Sequence, residues 1–306
     1  METNRFHNLD EVLLYSISSI LDNGSPISTR NLETKEIFPF SFVLENPRNR
    51  CLANPSRRWN LPLALGELSW HFTGDNSVDA LTYYAKQWSN FATDSKVLES
   101  CYGKKIFEGG NSSQWNRVFS LLSRDRESRR AVLSFYDPNN GLDPNLKDVA
   151  CTCTIQFLIR ENRLNAITYM RSNDVIWGLP YDVFFFTMLQ EILAYKLGVE
   201  VGDYYHFVGS LHLYKRHFGL AEKVRDSRFN GYFEMEPLTD LELMDVFLDA
   251  ESQIRTGEAL ETFKKSNSNY WNSLTDVLIS HRLLREERNE EALGLLSKNP
   301  YKEFMI

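Results

Sequence analysis

The residues whose types could do chemistry include six histidines and four cysteines, of which Cys151 and Cys153 lie close together in sequence. Cys151 and Cys153 lie two positions apart in a segment typical of a β-strand, so both thiols would point to the same side. Two thiols with no further cysteine or histidine nearby favour a metal site only weakly, and no histidine pair has the HExxH spacing. The sequence also lacks the glycine patterns of phosphate-binding loops. We therefore predict no metal, and a strand cysteine remains either a buried hydrophobic residue or a thiolate nucleophile.

The first three quarters of the chain combine helix and strand patterns and predict an α/β (α+β) protein. Residues 61–72 are apolar at helical spacing, whereas residues 130–136, 151–160 and 164–170 have the composition of strands. Residues 182–197 predict a long apolar helix that ends at a glycine. These elements would position the candidate cysteines inside a sheet.

The last quarter of the chain differs from the rest in charge and in its sequence pattern. Residues 231–306 contain 8 Lys and Arg against 15 Asp and Glu, an excess that equals the formal net charge of the whole chain, −7. Helical periodicity over residues 238–298, opened by a capping box that begins at Thr239, predicts two or three helices. We therefore divide the chain into a catalytic domain of residues 1–230 and an acidic helical extension of residues 231–306.

Composition and charge exclude several classes of protein. Hydrophobic residues make up 42% of the chain and charged residues 25%, as in globular proteins and unlike disordered or collagen-like chains. The negative net charge argues against a nucleic-acid partner. Four cysteines are too few for a disulfide scaffold, the N-terminus predicts an amphipathic helix that ends at Gly24, and no apolar run is long enough to span a membrane. These features predict a soluble cytoplasmic protein without nucleic-acid or membrane partners.

Six ordered motifs carry more information than the composition does. They are GELSWHFTGD (66–75), SRR (128–130), CTCTIQF (151–157), RSND (171–174), GLPYD (178–182) and GSLHLY (209–214). In this order and at these spacings they resemble the thymidylate synthase superfamily over about residues 10–218, and its deoxycytidylate hydroxymethylase branch in particular. The resemblance implies a mixed sheet packed with helices, a pyrimidine mononucleotide substrate, 5,10-methylenetetrahydrofolate as co-substrate, and a symmetric homodimer with shared sites.

The resemblance places the nucleophile of that reaction at Cys151. A thiolate that adds to C6 of a pyrimidine turns C5 into a nucleophilic carbon, which can accept a one-carbon unit. Arg171 would favour the thiolate by its charge. Glu67 matches the general acid/base glutamate of the family, and Tyr102 matches a residue that organises the base.

Other motif residues match the binding residues of the family. Planar guanidinium groups bind phosphate oxygens in pairs, so a cluster of arginines can replace a glycine-rich loop. The residues that would hold the nucleotide are Arg30, Arg129, Arg130, Arg171, Ser172, Gln156, Asp182, His212 and Tyr214. Those that would hold the folate are Arg57, Trp88, Asp174 and Gly178. Arg129 and Arg130 would reach across from the other subunit, and the contact of His212 and Tyr214 with the 3′-hydroxyl leaves both CMP and dCMP open.

Base selectivity depends, in this resemblance, on Asp182. True thymidylate synthases have asparagine there, and its amide pairs with N3–H and O4 of uracil. A carboxyl group instead accepts from the N4 amino group of cytosine, whereas an ionised carboxylate opposite O4 would leave two acceptors together at a cost of roughly 1–3 kcal/mol. The resemblance therefore predicts cytidylate as substrate, with deoxyuridylate or uridylate as the alternative.

Further departures from the thymidylate synthase pattern concern the product. Thr152 stands where those enzymes have histidine, Ala150 where they have proline, and Ser210 where they have aspartate. These differences favour addition of water, which gives a hydroxymethyl group, over hydride transfer, which gives a methyl group. A divergent thymidylate synthase and a nucleotide-binding homologue without catalysis remain open. The extension is either a lid formed by the segment 304–306 or a dimer or partner surface.

Overall fold

A computed structural model describes residues 4–29, 32–92, 96–98, 100–143, 146, 148–258 and 266–305. Arg30 and Ile306, which the sequence assigns to phosphate binding and to a lid, lie outside the described residues. The described residues form two compact units. The first lies within residues 1–59, 109–143 and 149–235, and the second within residues 60–108, 144–148 and 236–306. The predicted boundary at residue 230 stays a prediction, and the second unit combines segments from both sides of it.

The first unit is built on an eight-stranded mixed sheet. Its strands, in chain order, are β1 (Asn4–Phe6), β2 (Ser25–Thr29), β3 (Leu32–Ile37), β4 (Phe40–Leu44), β5 (Val132–Ser134), β6 (Thr152–Arg160), β7 (Arg163–Asp174) and β8 (Glu200–Tyr214). The order across the sheet is β1-β4-β8-β7-β6-β5, and β3 pairs with both β2 and β8. The pairs β1–β4 and β7–β8 are parallel, and the other pairs are antiparallel. The predicted mixed α/β class is thereby confirmed.

Eleven α-helices occur among the described residues. They are α1 (Leu9–Asn23), α2 (Leu61–Thr73), α3 (Val78–Thr82), α4 (Tyr102–Phe107), α5 (Gln114–Arg124), α6 (Pro138–Gly141), α7 (Leu179–Leu197), α8 (Phe218–Asp226), α9 (Met244–Thr256), α10 (Asn269–Arg285) and α11 (Asn289–Leu296). Helices α1 and α5–α8 belong to the first unit and the others to the second. None of the described helices is both long and apolar enough to cross a membrane.

Helix α7 packs against β7 and β8 in the first unit. It is buried on almost every side, which explains why its sequence is apolar throughout rather than amphipathic. It begins three residues before the predicted start because Pro180 fits the first turn of a helix, where no amide donor is needed. The predicted end at Gly198 is confirmed, since this residue has the left-handed backbone, φ +63°, that glycine tolerates.

The second unit contains α2–α4 and the three helices of the extension. Helix α2 begins after Asn60, whose side chain accepts a hydrogen bond from the amide of Leu63, and it ends at Gly74. The three extension helices confirm the helical prediction for residues 238–298. The predicted capping box at Thr239 is wrong, because α9 begins only at Met244 after a short 3₁₀ turn. Asp240 has a left-handed backbone, φ +51°, which turns the chain away before a helix can start.

Candidate functional site

Cys151 lies immediately before β6, beside the guanidinium of Arg171 on β7. Arg171 Nη2 is 3.7 Å from Cys151 Sγ and donates to the carbonyl of Val149 at 2.9 Å, while Nε donates to the carbonyl of Ala150 at 3.0 Å. A positive group held this close to a thiol favours the thiolate. Burial raises the pKa of the Cys153 thiol, so Cys153 is poorly suited to be the nucleophile. The arrangement fits a nucleophilic Cys151.

Ser172, His212 and Tyr214 lie together where β7 and β8 run side by side. The register of these strands pairs Ser172 with Ser210 and Asp174 with His212. Ser172 Oγ lies 3.4 Å from His212 Nδ1, and the His212 ring meets the Tyr214 ring edge-on with 5.0 Å between centroids. The structure thus brings together three residues that the motifs assign to the sugar and phosphate.

Glu36 of β3 joins this group, and the sequence analysis did not include it. It pairs in register with His212, and its Oε2 accepts a hydrogen bond from Ser210 Oγ at 2.5 Å. An aspartate at position 210, as in thymidylate synthases, would bring two carboxylates into contact and raise the pKa of one of them. Glu36 therefore explains why serine stands at this position. The pairing joins distant segments, so no local sequence signal could have found it.

Asp182 lies in the first turn of α7 with a partly buried side chain. Its amide donates to the carbonyl of Gly178 at 2.9 Å. Burial of the carboxyl raises its pKa to about 8, and the charge of Asp174 contributes in the same direction. At neutral pH Asp182 is therefore mostly a neutral acid with one donor and one acceptor. A protonated Asp182 offers both the donor and the acceptor that the two edges of cytosine require.

Gly178, which precedes α7, closely approaches the end of β7. A Cβ at this position would lie 2.6 Å from Asn173 Oδ1 and 3.1 Å from the carbonyl oxygen of Asp174, so a larger residue does not fit without movement. Asp174 Oδ1 accepts from the amides of Ile176 at 2.8 Å and Trp177 at 3.2 Å. These bonds fix the Asp174 carboxylate and the short loop that leads into α7.

Arg57, predicted to meet the folate tail, is buried in the structure of the first unit. Its Nη2 donates to the carbonyl of Ile176 at 2.6 Å, and its guanidinium lies 4.8 Å from the ring centroid of Trp177. Burial lowers the pKa of Arg57, while Tyr181 and Asp174 act in the opposite direction. In this structure Arg57 holds the loop before α7, and its role toward a folate stays a prediction.

A buried polar chain lies on the other face of β8, and the sequence analysis missed it. The Tyr204 hydroxyl is 2.9 Å from His206 Nδ1, and His206 Nε2 is 3.4 Å from Asn173 Nδ2. Burial lowers the pKa of His206 to about 3, so this ring is neutral. Burial, together with the charge of Asp182, raises the pKa of Tyr204. The sequence does carry a signal for this chain: Tyr204 and His206 alternate along the strand at the same spacing as the buried Val208, which places them on the buried face.

Arg129 and Arg130 precede β5 with exposed side chains. Gln156 of β6 donates through Nε2 to the carbonyl oxygen of Arg129 at 2.8 Å. This bond anchors the backbone that carries the two guanidinium groups. Their exposure is what a contribution to a neighbouring subunit would require.

Glu67, Trp88 and Tyr102 belong to the second unit. Glu67 is half-buried on α2. Trp88 lies in a 3₁₀ turn and is partly buried, with its ring 6.4 Å from the ring of Trp70. Tyr102 opens α4 and is buried. The structure thus places all the predicted site residues within the described ranges except Arg30, three of them in this unit and the others in the first.

The ring of Tyr102 stacks on His71 of α2, with 5.2 Å between centroids and 7° between planes. Burial lowers the pKa of His71 to about 3, so its Nδ1 can accept a hydrogen bond from the amide of Gly103, at 3.3 Å. A Cβ at Gly103 would lie 1.5 Å from the carbonyl oxygen of His71. The close approach of α4 to α2 at this glycine therefore fixes Tyr102.

No three histidine, cysteine or carboxylate side chains in the described part of the chain are grouped as a metal site requires. The absence of a metal stays a prediction from the sequence.

Known proteins resemble this chain over most of its length. The family model described as thymidylate synthase matches residues 12–243. A deoxyuridylate hydroxymethyltransferase of Bacillus phage SP01 is 28% identical over 215 residues, covering 66% of this chain but only 56% of that relative. A deoxycytidylate 5-hydroxymethyltransferase of Enterobacteria phage T4 is 28% identical over 225 residues, covering 70% of this chain and 89% of the relative.

A solved structure supports the fold independently. Thermostable thymidylate synthase A from Bacillus subtilis superposes on this chain with a TM-score of 0.61 at 21% sequence identity. The superposition covers 74% of this chain and 86% of the other. The similarity concerns the fold and leaves substrate and product to the chemistry of the site.

Proposed function

Because this chain belongs to the thymidylate synthase family, we propose that it transfers a one-carbon unit from 5,10-methylenetetrahydrofolate to C5 of CMP or dCMP and releases the 5-hydroxymethyl nucleotide. Relatives named as hydroxymethyltransferases support the type of reaction. The observation that carries the choice of base is the carboxyl of Asp182, whose pKa of about 8 keeps a carboxylic acid at the start of α7.

A neutral carboxylic acid matches the base-pairing edge of cytosine. Its hydroxyl would donate to N3, and its carbonyl oxygen would accept from the N4 amino group. The same acid can pair with uracil by donating to O4 and accepting from N3–H. N3 of cytosine is a basic ring nitrogen, however, whereas O4 of uracil is a weakly basic carbonyl oxygen. Sharing the proton with N3 gives a charge-assisted pair, and this difference favours cytidylate.

Cys151 would start the reaction by adding its thiolate to C6 of the base. The guanidinium of Arg171, 3.7 Å from Sγ, would stabilise the thiolate before the attack. The proton that Asp182 shares with N3 would draw electrons away from C6. C5 then becomes an enamine-like carbon that bonds to the methylene group, which the folate supplies when it is bound. Loss of tetrahydrofolate and of the C5 proton leaves an exocyclic methylene on the nucleotide.

Water completes the reaction in this proposal. Glu67 would take a proton from the water while the water oxygen bonds to the exocyclic carbon. The C5–C6 double bond reforms as the C6–S bond breaks, and Cys151 leaves as a thiolate. No hydride is needed, so tetrahydrofolate is the second product. Tyr102 would help to orient the base during these steps.

The remaining site residues keep the roles that the family resemblance gives them. The nucleotide would be held by Arg30, Arg129, Arg130, Arg171, Ser172, Gln156, His212 and Tyr214. The folate would be held by Arg57, Trp88, Asp174 and Gly178. The fixed Asp174 carboxylate fits this role because it offers a rigid acceptor, and Gly178 lets the loop before α7 lie close to the end of β7.

One face of the sheet supports the homodimer. The residue pairing across β5, β6, β7 and β8 places Val132, Tyr169 and Phe207 on the same face of the sheet. These three residues are 38%, 47% and 38% exposed, respectively. Contiguous exposed apolar surface marks interaction sites, and a second copy related by a twofold axis would cover it with the same surface. We therefore propose a cytoplasmic homodimer, in which Arg129 and Arg130 serve the partner's site. Tyr169→Glu should yield a monomer in sedimentation experiments; a variant that remains dimeric contradicts the assignment.

The experiment that tests the function is a product assay. Purified protein is incubated with methylenetetrahydrofolate and, separately, CMP, dCMP and dUMP, and the nucleotide products are weighed by mass spectrometry. A gain of CH₂O on a cytidylate supports the proposal. A gain of CH₂O on dUMP establishes the uridylate alternative, which the phage SP01 relative favours, and a gain of CH₂ indicates a thymidylate synthase. Nucleotide binding without any product indicates a non-catalytic homologue.

Three variants accompany this assay. Cys151→Ser should abolish the product, whereas Cys153→Ser, which removes a thiol with a raised pKa from the same segment, should retain it. Asp182→Asn should shift preference from cytidylate toward uridylate, because an amide pairs with N3–H and O4. Full turnover by Cys151→Ser would eliminate the proposed nucleophile, and an unchanged preference in Asp182→Asn would eliminate the proposed reader of the base.

A further inference from the structure

A buried carboxylate connects α2 to the helical extension inside the second unit. Glu251 of α9 is only 3% exposed, and both of its oxygens accept hydrogen bonds. Oε1 accepts from the Tyr84 hydroxyl at 2.7 Å and from Arg255 Nε at 2.9 Å, while Oε2 accepts from Ser69 Oγ at 3.1 Å and from Arg255 Nη2 at 3.4 Å. A buried carboxylate is costly unless its oxygens are bonded in this way. Arg255 bonds to both oxygens and orients the carboxylate, so that one oxygen meets Tyr84 and the other meets Ser69.

Both of these partners of Glu251 involve the turn of α2 that carries Glu67. Ser69 belongs to that turn, and Tyr84 packs against it. The ring of Tyr84 fills the space beside Gly66, where a Cβ would lie 2.2 Å from the ring. Gly66 and Ser69 are three residues apart and therefore share one face of the helix. Glu67 lies ~100° round the helix from Gly66, so its side chain leaves the helix in a different direction from the face that is held.

A second helix of the extension holds the same segment. The ring of His281 on α10 stacks on the ring of Tyr84, with 5.5 Å between centroids and 26° between planes. Arg285 Nη1 donates to the carbonyl oxygen of Tyr83 at 2.5 Å, and the Arg285 guanidinium lies 4.2 Å from the Tyr83 ring centroid. Helix α9 therefore holds Tyr84, whose ring contacts α2, and α10 holds both Tyr84 and the neighbouring Tyr83.

We propose that Glu251 is a positioning residue for Glu67: through Ser69 and Tyr84 it fixes the turn of α2 from which Glu67 projects. The inference rests on the proposed function, because Glu67 acts there as the general base. A base must meet its water at hydrogen-bond distance, and a misplacement of ~1 Å can cost about 10²-fold in rate. The acidic extension would thus hold the helix that carries the general base in position, through the contacts of Glu251 with Ser69 and Tyr84.

The test compares three single variants and one double variant of the 306-residue chain. Glu251→Gln removes the buried charge, and Tyr84→Phe removes one hydrogen bond but keeps the ring against α2. Glu286→Gln is the matched control, since it removes a carboxylate of the extension that bonds only to Arg282 and Arg288 in the described contacts. We expect kcat to fall about 10- to 100-fold in the first two variants, with the Kd for CMP within twofold of wild type and the control unchanged. The double variant should be no slower than the slower single variant, because both changes break one network.

Amide hydrogen exchange of residues 66–73 measures how firmly this part of α2 is held, and it does not depend on turnover. Exchange there should accelerate in Glu251→Gln and Tyr84→Phe and stay at the wild-type rate in Glu286→Gln. Unchanged exchange overturns the proposal. Faster exchange with kcat within twofold of wild type also overturns it, because the network would then be structural only. If the wild-type protein shows no turnover, both the proposed function and this role of Glu251 are refuted. If the wild type is active and Glu251→Gln keeps its kcat, only the role of Glu251 is refuted.

Discussion

Replacement of Asp182 by asparagine should make the protein more stable, and increasingly so as the pH rises. The carboxyl of Asp182 has a pKa of about 8 in the folded protein, against an ordinary value of 3.8, because burial and Asp174 oppose its ionisation. A group whose pKa is raised by folding contributes no penalty below its unfolded pKa. Stability is lost as the pH climbs from 4 to 8, because the unfolded chain releases the proton and the folded protein retains it. Asparagine has no proton to lose and escapes this penalty.

The size of the effect follows from the two pKa values. At about 1.4 kcal/mol per pKa unit, the carboxyl of Asp182 costs roughly 2 kcal/mol at pH 5 and about 4 kcal/mol at pH 7, and the cost levels off near ~6 kcal/mol above pH 8. The free energy of unfolding of Asp182→Asn should therefore gain ~2–3 kcal/mol on that of the wild type between pH 5 and pH 7. Groups that both proteins share cancel in this difference.

Urea unfolding at pH 5, 6, 7 and 8, followed by circular dichroism, measures the difference. Asp125→Asn is the control, since it removes an exposed carboxyl at the end of α5 and so measures the effect of losing one acidic side chain in itself. A pH-independent difference for Asp182→Asn would refute the protonated acid in the folded state. A difference that shrinks as the pH rises would show instead that the carboxylate stabilises the fold.

Three further substitutions test close approaches in the structure. Gly178→Ala should destabilise the protein by about 1–3 kcal/mol, seen as a lower melting temperature, because its Cβ meets polar atoms at the end of β7. Ser210→Asp should bring a second carboxylate against Glu36 and cost about 2–4 kcal/mol at pH 7, and the loss should shrink as the pH falls because protonation removes the repulsion; urea unfolding at pH 7 and pH 4 checks this. Gly103→Ala puts a Cβ 1.5 Å from the carbonyl oxygen of His71 and should cost more than about 3 kcal/mol; a melting temperature equal to wild type would contradict the approach of α4 to α2.

Elements with local signals were predictable from the sequence. The helices α1, α2 and α7 follow from apolar spacing and from capping residues, and the strands β6 and β7 follow from composition. The role of Cys151 as nucleophile stays a prediction from the motifs, and the structure adds that Arg171 Nη2 lies 3.7 Å from its Sγ. The start of α9 at Met244 could not be predicted in this way. The carbonyl oxygen of Asp240 accepts a hydrogen bond from the distant Trp271, and this contact is not visible in the local sequence.

Properties that depend on distant neighbours were beyond the sequence. The protonation of Asp182 depends on its burial and on Asp174, which a different element carries. The serine at position 210 makes sense only beside Glu36, from which 174 residues separate it. The same holds for Glu251, whose partners could not be read from helical periodicity.

The joining of residues 60–108 and 236–306 in one compact unit has a consequence for how the protein is made. A ribosome that adds ~5–20 residues per second would deliver α9 and α10 on the order of ten seconds after α2 has emerged. During that interval α2 lacks the partners of Ser69 and Tyr84, while the strands that surround Cys151 can already pair. The nucleophile would thus be in place before the helix of the general base is locked, and the second unit would be completed only after the strands of the first.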